Sequence, residues 1–227
     1  MKKIKMFGQE IENIKQNIYE KYFSSKPGGI LVEIGAGHPT YLSMSYEFRS
    51  YGWRTISVEA NPEFVVLHKD AGNEIYEYAI SNENKRDKFL IYKKGDDILS
   101  SQSYSSLGIK PTHVFNKNIT KESDDAYHKR MIDSINPCIT EIDVEVVTLN
   151  WLLKKLDIKK IDFLAIDTEG WELEVLNGTD LEKYDPKIIL IENTNKNIEY
   201  EEYLEKKNYQ LEETIAINQI YKRKENA

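Results

Sequence analysis

Between Phe7 and Phe23, the residues Ile11, Ile14, Ile18 and Tyr22 recur at spacings of three and four, which predicts an amphipathic helix over residues 7–25. The Lys-Pro-Gly-Gly run at Lys26–Gly29 ends it. The period then changes. Ile30–Ile34 is a short apolar run that feeds a pair of glycines, and Thr55–Val58 is a second that closes on Glu59 and Pro62. Glu74–Ser81, Ile161–Ile166 and Ile188–Ile191 read as further strands, and helical spacing returns at Leu149–Leu156, Trp171–Leu176 and Tyr200–Lys207. The tail from Tyr209 to Lys224 reads as two short strands in a hairpin. Apolar strands alternating with helices predict an α/β fold, its parallel sheet covered on both faces. Ligands of such sheets sit beyond the carboxyl ends of the strands. The acids at those ends, Glu33, Glu59, Asp167 and Glu192, are therefore the first candidates for chemistry.

Residues 95–142 break this pattern. They hold a polar, serine-rich stretch and then a predicted helix from Thr120 to Ile135, with Tyr127, Met131, Ile132 and Ile135 on one side. The segment is too long for a simple crossover and is expected to form a lid or substrate wall over the strand ends.

The 227 residues suit one domain. With 31 basic and 38 acidic side chains the formal charge is -7, which argues against a dedicated nucleic-acid binder. The single cysteine, Cys138, excludes an internal disulfide and a cysteine-based zinc cluster. Neither a signal-peptide pattern nor an apolar run long enough to span a bilayer is present, so a cytoplasmic location is expected.

Glu33–Thr40, Glu-Ile-Gly-Ala-Gly-His-Pro-Thr, follows the first strand. Its glycines let the backbone approach a bound molecule, and a helix starting at His38-Pro39-Thr40 would offer free N–H groups. A carboxylate at Glu33, ending an apolar strand, needs a partner, which the amino group of a ligand would supply. Glu59 lies 22 residues after Gly37, where a carboxylate accepts hydrogen bonds from both ribose hydroxyls of an adenosine. The third glycine of a dinucleotide fingerprint is absent, Thr40 standing in its place. His38, just behind the loop, is a candidate general base.

The runs Val-Glu-Ile-Gly-Ala-Gly and Ser-Val-Glu-Ala-Asn-Pro resemble motif I and the ribose-binding strand of class I S-adenosylmethionine-dependent methyltransferases. Residues 146–178 resemble the FkbM family, whose hallmark D-x-E-G-x-E-x-x-V-L-x-G is matched by Asp167, Glu169, Gly170, Glu172, Val175, Leu176 and Gly178. Ala165 stands where many relatives have a lysine, and Glu33 where many have an aspartate. The resemblance implies a Rossmann-like, mostly parallel seven-strand sheet and O-methylation, often of sugars or natural products. It further implies that Gly35, Ala36 and Gly37 hold the methionine part of the cofactor and that Glu59, Ala60 and Asn61 take the adenosine. Ala79 and Ser81 would then lie along the adenine edge. Asp167 and Glu169 would flank the sulfonium as catalytic acids, Glu169 having helix capping as its alternative. Ser105 and Ser106 match a serine-containing stretch of relatives and are expected to meet the acceptor. Trp171 is expected beneath the sheet.

Two further readings stand beside these. Asp167 and Glu192–Asn193 end neighbouring strands, so their oxygens are candidate ligands for magnesium or manganese, in the manner of catechol-type O-methyltransferases. An NAD-dependent oxidoreductase and a non-catalytic binding module are the alternatives to a methyltransferase acting on a small-molecule or glycan acceptor. The oligomeric state has no signature in the sequence.

Overall fold

A computed structural model describes residues 18–24, 26, 28–93, 105–108, 138–193 and 197–225. The expected helix over residues 7–25 lies mostly outside the described residues, and that over residues 120–135 wholly so. Residues 19–23 form one π-helical turn whose Phe23 packs edge-on against Trp53, with ring centres 4.8 Å apart.

The main sheet is built from β1 (Ile30–Ile34), β2 (Arg54–Glu59), β3 (Ile75–Glu77), β8 (Phe163–Ile166), β9 (Ile188–Glu192), β10 (Tyr209–Ile215) and β11 (Asn218–Arg223). Their order is β10-β11-β9-β8-β1-β2-β3. The five strands from β3 to β9 run parallel, and β11 runs antiparallel to both of its neighbours. The sheet is therefore mixed rather than wholly parallel. The tail turn explains this, because Ala216 and Ile217 alone join β10 to β11 and so short a link can only reverse the chain.

Alternating side chains feed two cores, as expected of a sheet covered on both faces. Leu31, Phe163, Ala165, Ile188 and Leu190 join Phe48 and Trp53 on one side. Val32, Ile34, Leu164, Ile166, Ile189 and Ile191 join the second, larger cluster. The covering helices are α1 (Tyr46–Ser50), α2 (Pro62–Asp70), α3 (Leu149–Lys155), α4 (Glu172–Asn177), α5 (Leu181–Tyr184) and α6 (Ile198–Lys206).

The expected strand Glu74–Ser81 divides at Tyr78. β3 stays in the main sheet, whereas β4 (Ala79–Ile80) turns away to pair with β7 (Cys138–Val147). β5 (Lys85–Lys93) pairs antiparallel with β7 along its whole length, and β6 (Ser106–Leu107) lies on the far edge of β5. Ser106–Leu107 and Cys138–Ile142 of the 95–142 segment thus belong to a second, four-stranded sheet, order β4-β7-β5-β6. Phe89, Leu107, Val144 and Val146 of this sheet pack with Ala60 and Ala79. That packing brings it over the carboxyl end of β2.

Candidate active site

A cavity of about 520 Å³ opens at the carboxyl ends of β1, β2, β8 and β9. Its first wall is the glycine loop. Gly35 has φ +75°, and a Cβ there would lie 1.7 Å from the Asp167 carbonyl oxygen. The residue is glycine because the ends of β1 and β8 touch backbone to backbone. Gly35 and Ala36 both donate to the Val58 carbonyl, at 3.0 and 3.1 Å. Gly37, at φ +53°, donates its N–H to Glu59 Oε2 at 2.8 Å, and Asn61 donates to Glu59 Oε1 at 2.7 Å. Burial raises the Glu59 pKa, against the backbone N–H groups that favour the carboxylate. A carboxylate has about four acceptor positions, so Glu59 has capacity for a ligand's hydroxyls on the cavity side.

Beyond the loop the structure departs from expectation. Residues 38–45 are irregular, and the next helix, α1, begins only at Tyr46. Side chains fold this segment inward. Glu33 accepts from Ser43 Oγ and from the N–H groups of Met44 and Ser45, while Arg49 donates to the Pro39 carbonyl and Ser45 Oγ. The Glu33 carboxylate is buried behind the cavity and is not among its lining residues. The pairing it needs comes from the chain rather than from a ligand.

His38 lines the cavity, but the geometry tells against its role as a base. Its Nδ1 accepts from the N–H of Thr40 at 3.2 Å and of Tyr41 at 3.0 Å. Two backbone donors force the neutral ring to carry its proton on Nε2, and burial lowers its pKa. His38 therefore offers the cavity a donor.

The floor comes from the loop after β8 and from the end of β9. Asp167, Glu169 and Glu192 each offer an oxygen within 4.8 Å of the others. Asp167, just past the end of β8, is exposed to the cavity. Desolvation by the surrounding walls and then the neighbouring Glu192 carboxylate push its pKa well above the usual range. Glu169 is raised by burial and by Glu192 and Glu172. It adopts φ +54°, followed by Gly170 at φ +97°. A non-glycine residue there costs about 1–2 kcal/mol and persists only when its surroundings enforce it. Glu172 does so. Its Oε1 accepts from the Thr168 N–H and hydroxyl and from the Gly170 N–H, and its Oε2 accepts from the buried Tyr200 hydroxyl at 2.8 Å. Glu169 is not a helix cap, since α4 starts at Glu172 with Trp171 before it.

Residues 33–211, well over half of the chain, match the family model of the methyltransferase FkbM domain. The chain belongs to the FkbM methyltransferase family. Comparisons with curated proteins and with solved structures return no match.

The hallmark of this methyltransferase can be read position by position. Asp167 and Glu169 face the cavity, Gly170 and Glu172 shape their loop, and Val175 and Leu176 are fully buried core. Gly178 is needed because a Cβ there would lie 2.1 Å from the Ser81 carbonyl oxygen.

Of the residues expected at the cofactor, Gly35, Ala36, Gly37, Glu59, Ala60 and Ala79 line the cavity. Asn61 and Ser81 are buried outside the lining, Asn61 because its side chain caps α2 by accepting from the Glu63 N–H. Ser105 lines the cavity, whereas Ser106 is turned away and donates to the Gly108 carbonyl. Asn193 is not available to a metal. Its Oδ1 accepts from the Asn197 N–H, and its Nδ2 donates to the Asn197 carbonyl and Gln219. Glu169 takes its place in the acidic group. Trp171 lines the cavity instead of lying beneath the sheet, and the tail turn Ala216–Asn218 also reaches it. No sequence signal marked that turn.

Proposed function

We propose that the protein transfers a methyl group from S-adenosylmethionine to a hydroxyl of a small acceptor, a sugar or glycan. The observation that carries this reading is Glu59, a buried carboxylate at the end of β2 that borders the cavity and is tied to the glycine loop through Gly37. There it accepts from ribose hydroxyls, while Ala60 and Ala79 give the adenosine an apolar wall. The irregular segment 38–45 favours this cofactor over NAD, whose pyrophosphate is held by a helix starting directly after the glycine loop.

When bound, the cofactor supplies an activated methyl group on a sulfonium. The chain's remaining tasks are to align the acceptor and to remove its proton. Asp167 is the proposed base, its raised pKa bringing it nearer to that of a hydroxyl, with Glu192 as its orienting partner. Among the described residues the lining holds four carboxylates, Glu59, Asp167, Glu169 and Glu192, and no lysine or arginine. That balance favours an uncharged sugar over the phosphates of a nucleotide sugar. Ser105 is placed to contact it.

A second reading rests on the spacing of Asp167, Glu169 and Glu192. Three carboxylate oxygens within 4.8 Å of one another are hard ligands suited to magnesium or manganese, which would lower the pKa of the acceptor hydroxyl. Calorimetric titration with S-adenosylhomocysteine and with NAD tests the cofactor. Binding of NAD alone would overturn the proposal. Transfer from labelled S-adenosylmethionine to a panel of neutral glycans, nucleotide sugars and phenols tests the acceptor.

A further inference from the structure

The glycine loop is gripped from both sides. Gly37 donates its N–H to Glu59, and its carbonyl oxygen meets His68 Nε2 at 3.1 Å. His68 sits near the end of α2 with no exposed surface. Its Nδ1 lies 3.2 Å from Asn73 Nδ2, and the Asn73 N–H donates to the His68 carbonyl. A carbonyl can only accept and an amide nitrogen can only donate, so the ring is fixed in one neutral tautomer, with the proton on Nε2 and aimed at Gly37. Burial, with Arg49 nearby, pushes its pKa down to about 4, which keeps that state through the neutral range.

We propose that His68 is a positioning residue for the cofactor, holding Gly37 so that Glu59 and the glycine loop present one preformed surface. It touches no cofactor atom and acts through Gly37. This inference rests on the cofactor reading above. Residue 37 has a positive φ, and a Cβ there would meet nothing within 4 Å, so no side-chain packing at this position holds its peptide. The two hydrogen bonds do. Losing the one from His68 leaves the carbonyl free to turn, and the loop must then be ordered at the moment of binding, which weakens affinity.

The test is calorimetric titration of wild type, His68→Leu, His68→Gln and Asn73→Ala with S-adenosylhomocysteine, beside thermal melts. His68→Leu removes the donor and is expected to bind about tenfold more weakly. His68→Gln, which keeps a donor at the Nε2 position, is expected to recover most of that loss. Asn73→Ala frees the ring without touching the loop and is expected to bind about threefold more weakly, and it carries the test if His68→Leu does not fold. A purely structural role would lower the melting temperature of the variants and leave their affinity at the wild-type value, overturning the proposal. If wild type itself does not bind S-adenosylhomocysteine, the cofactor reading fails, and the role assigned to His68 fails with it.

Discussion

Replacing Gly178 by alanine isolates a single packing effect. The residue has φ -84° and ψ 4°, a conformation open to any amino acid, so the backbone itself sets no penalty. An added Cβ would stand 2.1 Å from the Ser81 oxygen, 3.1 Å from its carbonyl carbon and 3.3 Å from Asn82 Cα. All three are backbone atoms, and ordinary contact begins near 3.4 Å, so one chain must move by more than 1 Å. Neither is free to do so. Ser81 donates to the Val147 carbonyl at 3.0 Å, and the Gly178 carbonyl accepts from Asn150 at 3.1 Å. Overpacking of this kind costs about 1–3 kcal/mol, and Gly178 lies at the C-cap of α4, where the interior helix propensity of alanine gives no offset. For a chain of this size, 1 kcal/mol corresponds to about 2–4 °C, so a fall in melting temperature of about 2–12 °C is expected. Differential scanning calorimetry, with urea unfolding as a second measure, reads it directly. Because the shift falls on β4, Ala79 moves with it, and affinity for S-adenosylhomocysteine should drop as well. A variant that melts at or above the wild-type temperature would show that Ser81 gives way at little cost and that the glycine is not required for fit.

Glu59→Ala is expected to weaken S-adenosylhomocysteine binding by about 1–3 kcal/mol, the scale for hydrogen bonds to a charged acceptor; calorimetry on the folded variant that returned wild-type affinity would place the ribose elsewhere. His68 makes stability depend on pH: its folded pKa of about 4 lies below the reference of 6.5, so the unfolded chain takes up the proton first and stability falls as pH drops through that window. The loss from this one ring is about 2 kcal/mol between pH 7 and pH 5, and should appear as the difference in urea stability profiles between wild type and His68→Gln. Asp167→Asn is expected to raise the melting temperature at pH 7–8, because it removes a carboxyl whose ionisation Glu192 and Glu169 oppose; an unchanged or lower melting temperature would mean that a cation or a retained proton already relieves the group. Chelator-treated enzyme that retains full activity without added magnesium or manganese would remove the metal reading and leave Asp167 as the favoured base.

What could be read from the sequence follows from how local the causes are. β1, β2, β8 and β9 are short apolar runs whose burial depends on composition alone, and the acids Glu59, Asp167 and Glu192 fall at their ends by counting. The division of Glu74–Ser81 was invisible because its cause, pairing of β4 with β7, lies 67 residues away at Ala79↔Val146. The same applies to Glu33. Its carboxylate looked like a ligand partner because nothing in the order of residues announces that Ser43, Met44 and Ser45 fold back onto it. His38 is a plausible base by residue type, and only the two N–H groups aimed at its Nδ1 tell against that role. Nor does the order of residues show that the Asn193 side chain serves the turn into α6. The tail turn reaches the cavity through the sheet order, which places the last two strands beside β9.

The central pairing of β1 with β8 has a bearing on how the protein is made. Leu31 pairs with Phe163, a separation of 132 residues, so the middle of the sheet cannot close until three quarters of the chain has been synthesised. Until then β1 has β2 on one edge and an open, apolar edge on the other. A nascent chain paused before residue 163 already carries the glycine loop, Glu59 and His68, yet lacks Asp167, against whose carbonyl Gly35 closes. The proposed cofactor wall is translated first and the acidic floor last. Binding of the proposed cofactor should thus report completed folding, and a ribosome-bound intermediate should be recognised by chaperones before it recognises any small molecule.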